Sequence, residues 1–172
     1  IDMPAGPSEV FIIADESAKP RFIAADLLAD CEHGEDSAGV LVTTSEKVAE
    51  ETISEIDKQL LNLKTASRVK KSLENNGFIL VVDNINQAVE FANDYAPEHL
   101  EIMTKNPETA VKQITNAGSI FLGDFTCKGS GDYATGANHV LPTSGTAKMF
   151  SPLSVDSFGK MMEIQKVTRS GL

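Results

Sequence analysis

Short apolar runs separated by segments with helical spacing constrain the fold of this chain more than any other feature. The runs are Val10–Ala14, Val40–Val42, Phe78–Val82 and Ser119–Leu122. Their apolar residues are continuous rather than alternating, which is typical of strands buried on both faces, as in a parallel sheet.

The segments between the runs are predicted to be helical, apart from one further strand. Apolar spacing and turn residues predict helices over 20–31, 48–63, 86–92 and 108–117, with a strand over 99–103. This alternation predicts an α/β fold with a Rossmann-like, doubly wound, mostly parallel sheet. In such folds, ligands are expected at the carboxyl ends of the strands.

The regular alternation stops after residue 122, and Gly, Ser, Thr and Pro become frequent up to residue 152. We predict a long irregular segment here, and its Asp, Tyr, Asn and His residues favour a functional loop over a linker. The predicted domain portion is 1–150, and 151–172 begins a C-terminal segment. Because the chain starts just before a strand and without Met, we expect a piece of a longer protein.

Composition and charge exclude several classes of partner. The chain has 15 Lys and Arg against 25 Asp and Glu, a formal net charge of −10, which disfavours nucleic acid and anionic membranes. No apolar run reaches the roughly 20 residues that cross a bilayer. Cys31 and Cys127 have no metal or disulfide-framework spacing, so we expect reduced thiols, with that of Cys127 buried, in a cytoplasmic protein.

All three histidines stand close to acidic or amide residues, which suggests a single site built from three segments. Asp30 and His33 share one face at the end of the first predicted helix and could bind one metal ion. A zinc site needs further ligands, for which Asp132 and His139 are candidates. The alternative is a solvated Asp with a His that the helix dipole favours.

The sequence Pro97-Glu98-His99 places an acid and a base together at the start of a predicted strand. Pro97 is expected to hold Ala96 extended. Glu98 could activate water while His99 relays a proton. Adjacent strand residues point to opposite faces, so the two are not expected to be buried alike, and a surface pair is equally compatible with this segment.

Two common catalytic motifs are absent from the sequence. It contains neither a G-x-G-x-x-G dinucleotide fingerprint between strand and helix nor a G-x-S-x-G nucleophile elbow. Ser8, just before the first strand, could place its hydroxyl at a ligand, although turns of this composition are common.

Five segments, in order, closely resemble the histidinol dehydrogenase family. They are Ala5-Gly6-Pro7-Ser8-Glu9-Val10, Ala14-Asp15-Glu16-Ser17-Ala18, Glu32-His33-Gly34-Glu35-Asp36-Ser37, Tyr95-Ala96-Pro97-Glu98-His99-Leu100, and residues 131–145 from Gly131-Asp132-Tyr133 to Thr143-Ser144-Gly145. The resemblance implies a zinc-dependent, homodimeric enzyme that oxidises L-histidinol through the aldehyde to L-histidine with two NAD. It also implies that the chain is the central to C-terminal part of such an enzyme, inactive alone.

The resemblance also implies roles for individual residues. His33 and Asp132 fall on zinc ligands, Glu98 on the base that activates water and His99 on the general base. Ser8 and His139 fall on substrate contacts, whereas no NAD-binding residue is assigned because the family's nucleotide-binding part precedes residue 1. The family's last zinc ligand is a histidine in a C-terminal tail, and none follows residue 139 here.

The chain departs from the family pattern at the predicted metal site. Asp30 stands where the family usually has Gln, so it would be the remaining ligand, and Cys127-Lys128-Gly129 replaces a loop that normally carries Glu. Two alternatives to the dehydrogenase therefore stay open. One is a diverged binding or scaffold domain without catalysis, and the other is a zinc-assisted hydrolase using Glu98.

Overall fold

The computed structural model of the chain describes residues 3–171 and forms one parallel sheet with helices on both faces. The strands are β1 (Glu9–Ala14), β2 (Ala38–Thr43), β3 (Phe78–Val81), β4 (His99–Met103) and β5 (Ser119–Leu122). Their spatial order is β3-β2-β1-β4-β5, and every neighbouring pair is parallel. The predicted doubly wound α/β fold is confirmed.

The helices are α1 (Pro20–Cys31), α2 (Glu46–Leu60), α3 (Ala66–Asn76), α4 (Ile85–Tyr95), α5 (Pro107–Val111) and α6 (Lys128–Tyr133). α1, α2 and α4 match the predicted helices within a few residues. Two expectations were wrong: α5 ends well before residue 117, and α3 had been missed. The segment predicted to be irregular contains α6.

Alternate residues of the central strands build two separate hydrophobic cores. Phe11 and Ile13 pack with α4 on one face, whereas Val10 and Ile12 pack with α1 on the other. All four side chains are completely buried. Burial on both faces explains why the strands read as continuous apolar runs.

α4 ends in an unusual way that directs the chain into β4. Ala96 adopts a left-handed conformation with φ 55° and ψ 63°, and its amide donates to the Ala92 carbonyl oxygen. The expected extended conformation of Ala96 was therefore wrong, because the residue closes the helix instead of starting the strand.

The C-terminal segment contributes little to either core. Thr143 is the last buried residue of the described chain, and from residue 144 onward the side chains are half-buried or exposed. Exposed apolar residues here include Phe158, Met161 and Ile164. The proposed division at residue 150 stays a prediction. Among residues 3–171, no helix has the length and apolar character needed to cross a membrane.

Two acidic side chains are buried between α1 and β4. Asp26 is 6% exposed and Glu101 is 1% exposed. Burial raises the pKa of Asp26 to about 6, and burial together with Asp26 raises the pKa of Glu101 well above its usual value. Asp30 adds repulsion to both, while Lys128 on α6 favours ionisation of Asp26. The folded chain therefore holds protons on this pair more tightly than the unfolded chain does.

We expect Asp26→Asn to stabilise the protein at high pH. The folded chain holds the Asp26 proton more tightly than the unfolded chain, whose pKa is 3.8, so ionisation costs folding free energy as pH rises through about 6. Urea unfolding at pH 8 should show a free energy of unfolding on the order of 2–3 kcal/mol higher than in the wild type. Below about pH 4 the difference should vanish.

Asp57→Asn on the exposed face of α2 serves as the matched control, since it removes a solvated carboxylate. It should show no comparable pH-dependent gain. A wild-type advantage over Asp26→Asn at pH 8 would contradict the assignment of a strained buried acid.

Gly118→Ala should disrupt the junction of β4 and β5. A Cβ atom at Gly118 would lie 2.5 Å from the Glu98 carbonyl oxygen, in the segment where the Ser119 amide donates to that same oxygen. We expect a loss of about 1–3 kcal/mol in the free energy of unfolding, measured in urea, because the backbone must shift. Gly129→Ala, whose Cβ would meet no atom within 4 Å, should change stability by less than about 1 kcal/mol.

Candidate active site

The predicted site residues meet at the amino-terminal edge of the sheet. Ser8 and Glu98 immediately precede β1 and β4, and His99 is the first residue of β4. α1 runs back across the sheet after β1, so Asp30 and His33 at its end reach the same edge. The expectation that the site lies at the carboxyl ends of the strands was wrong for these residues, which come together at the amino-terminal ends instead.

A reciprocal clasp between two glutamates joins β1 to β4. The Glu9 amide donates to Glu98 Oε2 at 2.9 Å, and the Glu98 amide donates to Glu9 Oε2 at 3.4 Å. The Ser144 amide donates to Glu9 Oε1 at 2.9 Å. Burial raises the pKa of both carboxyls despite these bonds. The clasp therefore holds the Glu98 side chain in place, and Glu9 also binds the loop that contains Ser144 to the site.

Three oxygen acceptors surround Nδ1 of His99. It lies 3.0 Å from the Glu9 carbonyl oxygen, 3.2 Å from Asp30 Oδ2 and 3.4 Å from Glu98 Oε2. This surrounding favours the proton on Nδ1 and leaves Nε2 as the basic nitrogen of the neutral ring. Burial opposes the charged form, but Asp30 and Glu98 outweigh it and raise the pKa of His99.

Glu98 and His99 are both buried, each about 6% exposed. The expectation that they would differ was wrong, because Glu98 stands just before the strand and its side chain turns back to the Glu9 amide. The alternative of a surface pair is thereby excluded.

Lys128 lies between two of the acids predicted to bind zinc. Its Nζ atom is 2.6 Å from Asp30 Oδ1 and 2.9 Å from Asp132 Oδ2, and the residue is 2% exposed. Burial lowers the pKa of the Lys128 ammonium, but Asp30 and Asp132 outweigh it and raise that pKa. Burial likewise opposes the charge of Asp30, yet His99 and Lys128 hold its pKa below the usual value.

The other two histidines flank this ion-pair network. His33 Nδ1 lies 3.0 Å from the Asp30 carbonyl oxygen and 3.8 Å from Asp30 Oδ1, with its side chain 48% exposed. His139 Nδ1 lies 3.8 Å from Asp132 Oδ1, with its side chain 58% exposed. Ser8 is half-buried, and its carbonyl oxygen accepts from the Ala38 amide.

The arrangement of these side chains does not fit the predicted zinc ion. Within residues 3–171, no three His, Cys, Asp or Glu side chains are grouped so that they could hold a metal. Asp30 and Asp132 direct oxygens at the Lys128 ammonium instead. Zinc binding by Asp30, Asp132 and His33 stays a prediction.

Sequence reasoning missed two important residues, Glu9 and Lys128. Glu9 lies in a motif that was noted for its serine, and only the pairing of β1 with β4 shows its partner. Lys128 was seen only as a departure in a loop. The sequence signal that could have revealed Lys128 is that it and Asp30 both depart from the family pattern, one as a new cation and the other as a new acid. Cys127 is exposed, so its expected burial was wrong, whereas Cys31 is buried, and both are free thiols.

Comparisons with known proteins show the family to which this chain is similar. The model of the histidinol dehydrogenase family matches residues 1–172. The chain is 51% identical over its whole length to a histidinol dehydrogenase of Listeria monocytogenes and 52% identical to one of Bacteroides fragilis, in each case covering 40% of the relative.

The chain is also similar to a solved structure of a histidinol dehydrogenase. The crystal structure of histidinol dehydrogenase from Elizabethkingia anophelis matches 99% of this chain and 39% of that chain, with a TM-score of 0.94 and 48% identity. The chain thus spans about 40% of the length of the relatives it matches. With a family model that covers every residue and identities near one half, the chain belongs to the histidinol dehydrogenase family.

Proposed function

We propose that the complete protein to which this chain belongs is an NAD-dependent oxidoreductase of histidine biosynthesis. It oxidises L-histidinol through L-histidinaldehyde to L-histidine. The observation that carries the proposal is the buried Glu98–His99 pair, whose two side chains are held together by Glu9 and Asp30 in a member of this family. When bound, NAD supplies the hydride acceptor for both oxidations.

His99 has the environment of a general base. The first oxidation removes a hydride and a proton from a primary alcohol, and Nε2 of the Nδ1-protonated ring accepts that proton. The Glu9 carbonyl oxygen accepts from Nδ1 and the Asp30 carboxylate lies 3.2 Å from it, so both stabilise the imidazolium that forms. The ring thus keeps its proton on Nδ1 before and after Nε2 accepts the substrate proton.

Glu98 has the environment of a base for water. The second oxidation begins with water adding to the aldehyde carbon, and the water proton passes to the Glu98 carboxylate. Burial raises the pKa of Glu98, which makes this carboxylate a stronger base than one in solvent. The clasp with Glu9 keeps it in place.

The remaining roles follow the resemblance and are part of the proposal. Ser8 and His139 contact the substrate, and the complete protein is a homodimer. No residue of this chain is assigned to NAD. The proposed chemistry does not involve zinc, because Lys128 engages the acids that would bind it.

Glu98→Gln should separate the two oxidations. In the complete protein, Gln keeps the size of the side chain but cannot take the water proton, so the second step should slow by about 10²–10⁴-fold. The first step should slow much less. Single-turnover NADH formation, with L-histidinol and then with L-histidinaldehyde as substrate, measures the two steps separately.

His99→Gln and Glu90→Gln complete the experiment. His99→Gln should slow both steps, since both release a proton, whereas Glu90→Gln on the exposed side of α4 should change neither. Equal slowing of both steps by Glu98→Gln would contradict its assigned role. A folded wild-type protein that reduces no NAD with L-histidinol would favour the non-catalytic alternative.

A further inference from the structure

A buried lysine occupies the centre of the acidic group at the amino-terminal edge. Lys128 Nζ contacts Asp30 Oδ1 at 2.6 Å and donates to Asp132 Oδ2 at 2.9 Å. The two carboxylates come from α1 and α6, so the ammonium joins separate elements as a bound cation would. Lysine is among the residues least often fully buried, and here it is buried with two charge partners.

The position of the ammonium conflicts with a zinc ion on the same carboxylates. Zinc binds carboxylate oxygen at about 2.0–2.2 Å, so an ion on Asp30 Oδ1 would lie within about 5 Å of Nζ. Two cations would then share a buried space in which their repulsion is little screened by solvent. Lys128 already engages one oxygen of each carboxylate, Asp30 Oδ1 and Asp132 Oδ2.

The neighbouring histidines do not complete a metal site around the lysine. Nδ1 of His33 faces the Asp30 carbonyl oxygen at 3.0 Å, and its side chain is nearly half exposed. Nδ1 of His139 remains 3.8 Å from Asp132 and is more exposed still. Asp30 and Asp132 therefore have one close cationic partner in common, Lys128.

We propose that the Lys128 ammonium is the resident cation of this site and takes the place of a divalent metal between Asp30 and Asp132. The protein consequently does not bind zinc through these two acids. Lys128 also keeps Asp30 charged and in position, and Asp30 in turn contacts Nδ1 of His99 at 3.2 Å. Lys128 is thus a positioning residue, which holds the Asp30 and Asp132 carboxylates together as a metal ion would.

Zinc binding by the complete protein tests the proposal directly. Wild type, Asp132→Asn and Lys128→Gln are loaded with zinc chloride, dialysed against metal-free buffer and analysed for zinc per chain. Zinc affinity is then measured by competition with a chromophoric chelator. We expect no difference in zinc between wild type and Asp132→Asn, and an affinity at least about tenfold higher in Lys128→Gln.

Lys47→Gln on the exposed surface of α2 is the matched control, since it removes the same charge from a side chain that is 80% exposed and lies beside Glu51. It should bind zinc like the wild type. One zinc per chain in the wild type that is lost in Asp132→Asn would overturn the proposal, as would a wild-type affinity that Lys128→Gln fails to increase.

Loss of Lys128 removes the closest cation from the buried Asp30 carboxylate and could prevent folding. Circular dichroism of each variant shows whether this happens. If Lys128→Gln does not fold, the comparison of wild type with Asp132→Asn, which keeps the Lys128–Asp30 pair, decides the proposal alone.

The same samples distinguish this proposal from the proposed function. NAD reduction by a wild type that lacks Asp132-dependent zinc supports both. A zinc-free, folded wild type without NAD reduction supports the lysine proposal and contradicts the dehydrogenase. Activity accompanied by Asp132-dependent zinc contradicts the lysine proposal alone.

Discussion

The buried carboxylate of Asp30 is the interaction on which the rest of the site depends. One of its oxygens contacts the Lys128 ammonium at 2.6 Å and the other contacts His99 Nδ1 at 3.2 Å. These partners come from α6 and β4, while Asp30 belongs to α1. An unpaired carboxylate at this depth would be strongly destabilising, so the three elements must assemble together around it.

Sequence patterns predicted the sheet well because both of its faces are buried. Residues such as Phe11 and Ile12 pack into different cores, which produces the continuous apolar runs from which the strands were recognised. The short helices were harder. α3 has a largely polar sequence with Val69 as its fully buried apolar residue, and α6 contains two glycines, so its packing rather than its helix propensity explains it.

The location of the site could not be predicted from strand order alone. Doubly wound sheets favour carboxyl-end sites, yet here the return of α1 and the clasp between Glu9 and Glu98 bring the polar residues to the opposite edge. The role of Lys128 was equally hidden, since a lysine in a glycine-rich loop normally points to solvent. Its burial depends on Asp30, which is distant in sequence, and only the folded chain brings the two together.

The buried acids around α1 and β4 differ in the direction of their pKa shifts, and the difference follows the groups that contact each of them. Asp30 stays ionised because two cationic groups contact it, whereas burial raises the pKa of Asp26, Glu98 and Glu101. The acids here outnumber the cations, and most of them hold a proton more tightly than an exposed carboxyl does, while Asp30 and Glu98 raise the pKa of His99. Such a surrounding accepts a proton at His99 with little rearrangement, since the groups that stabilise the imidazolium are already in place. The same excess of acid is what a metal would neutralise, and a lysine from within the chain neutralises it without dependence on metal supply.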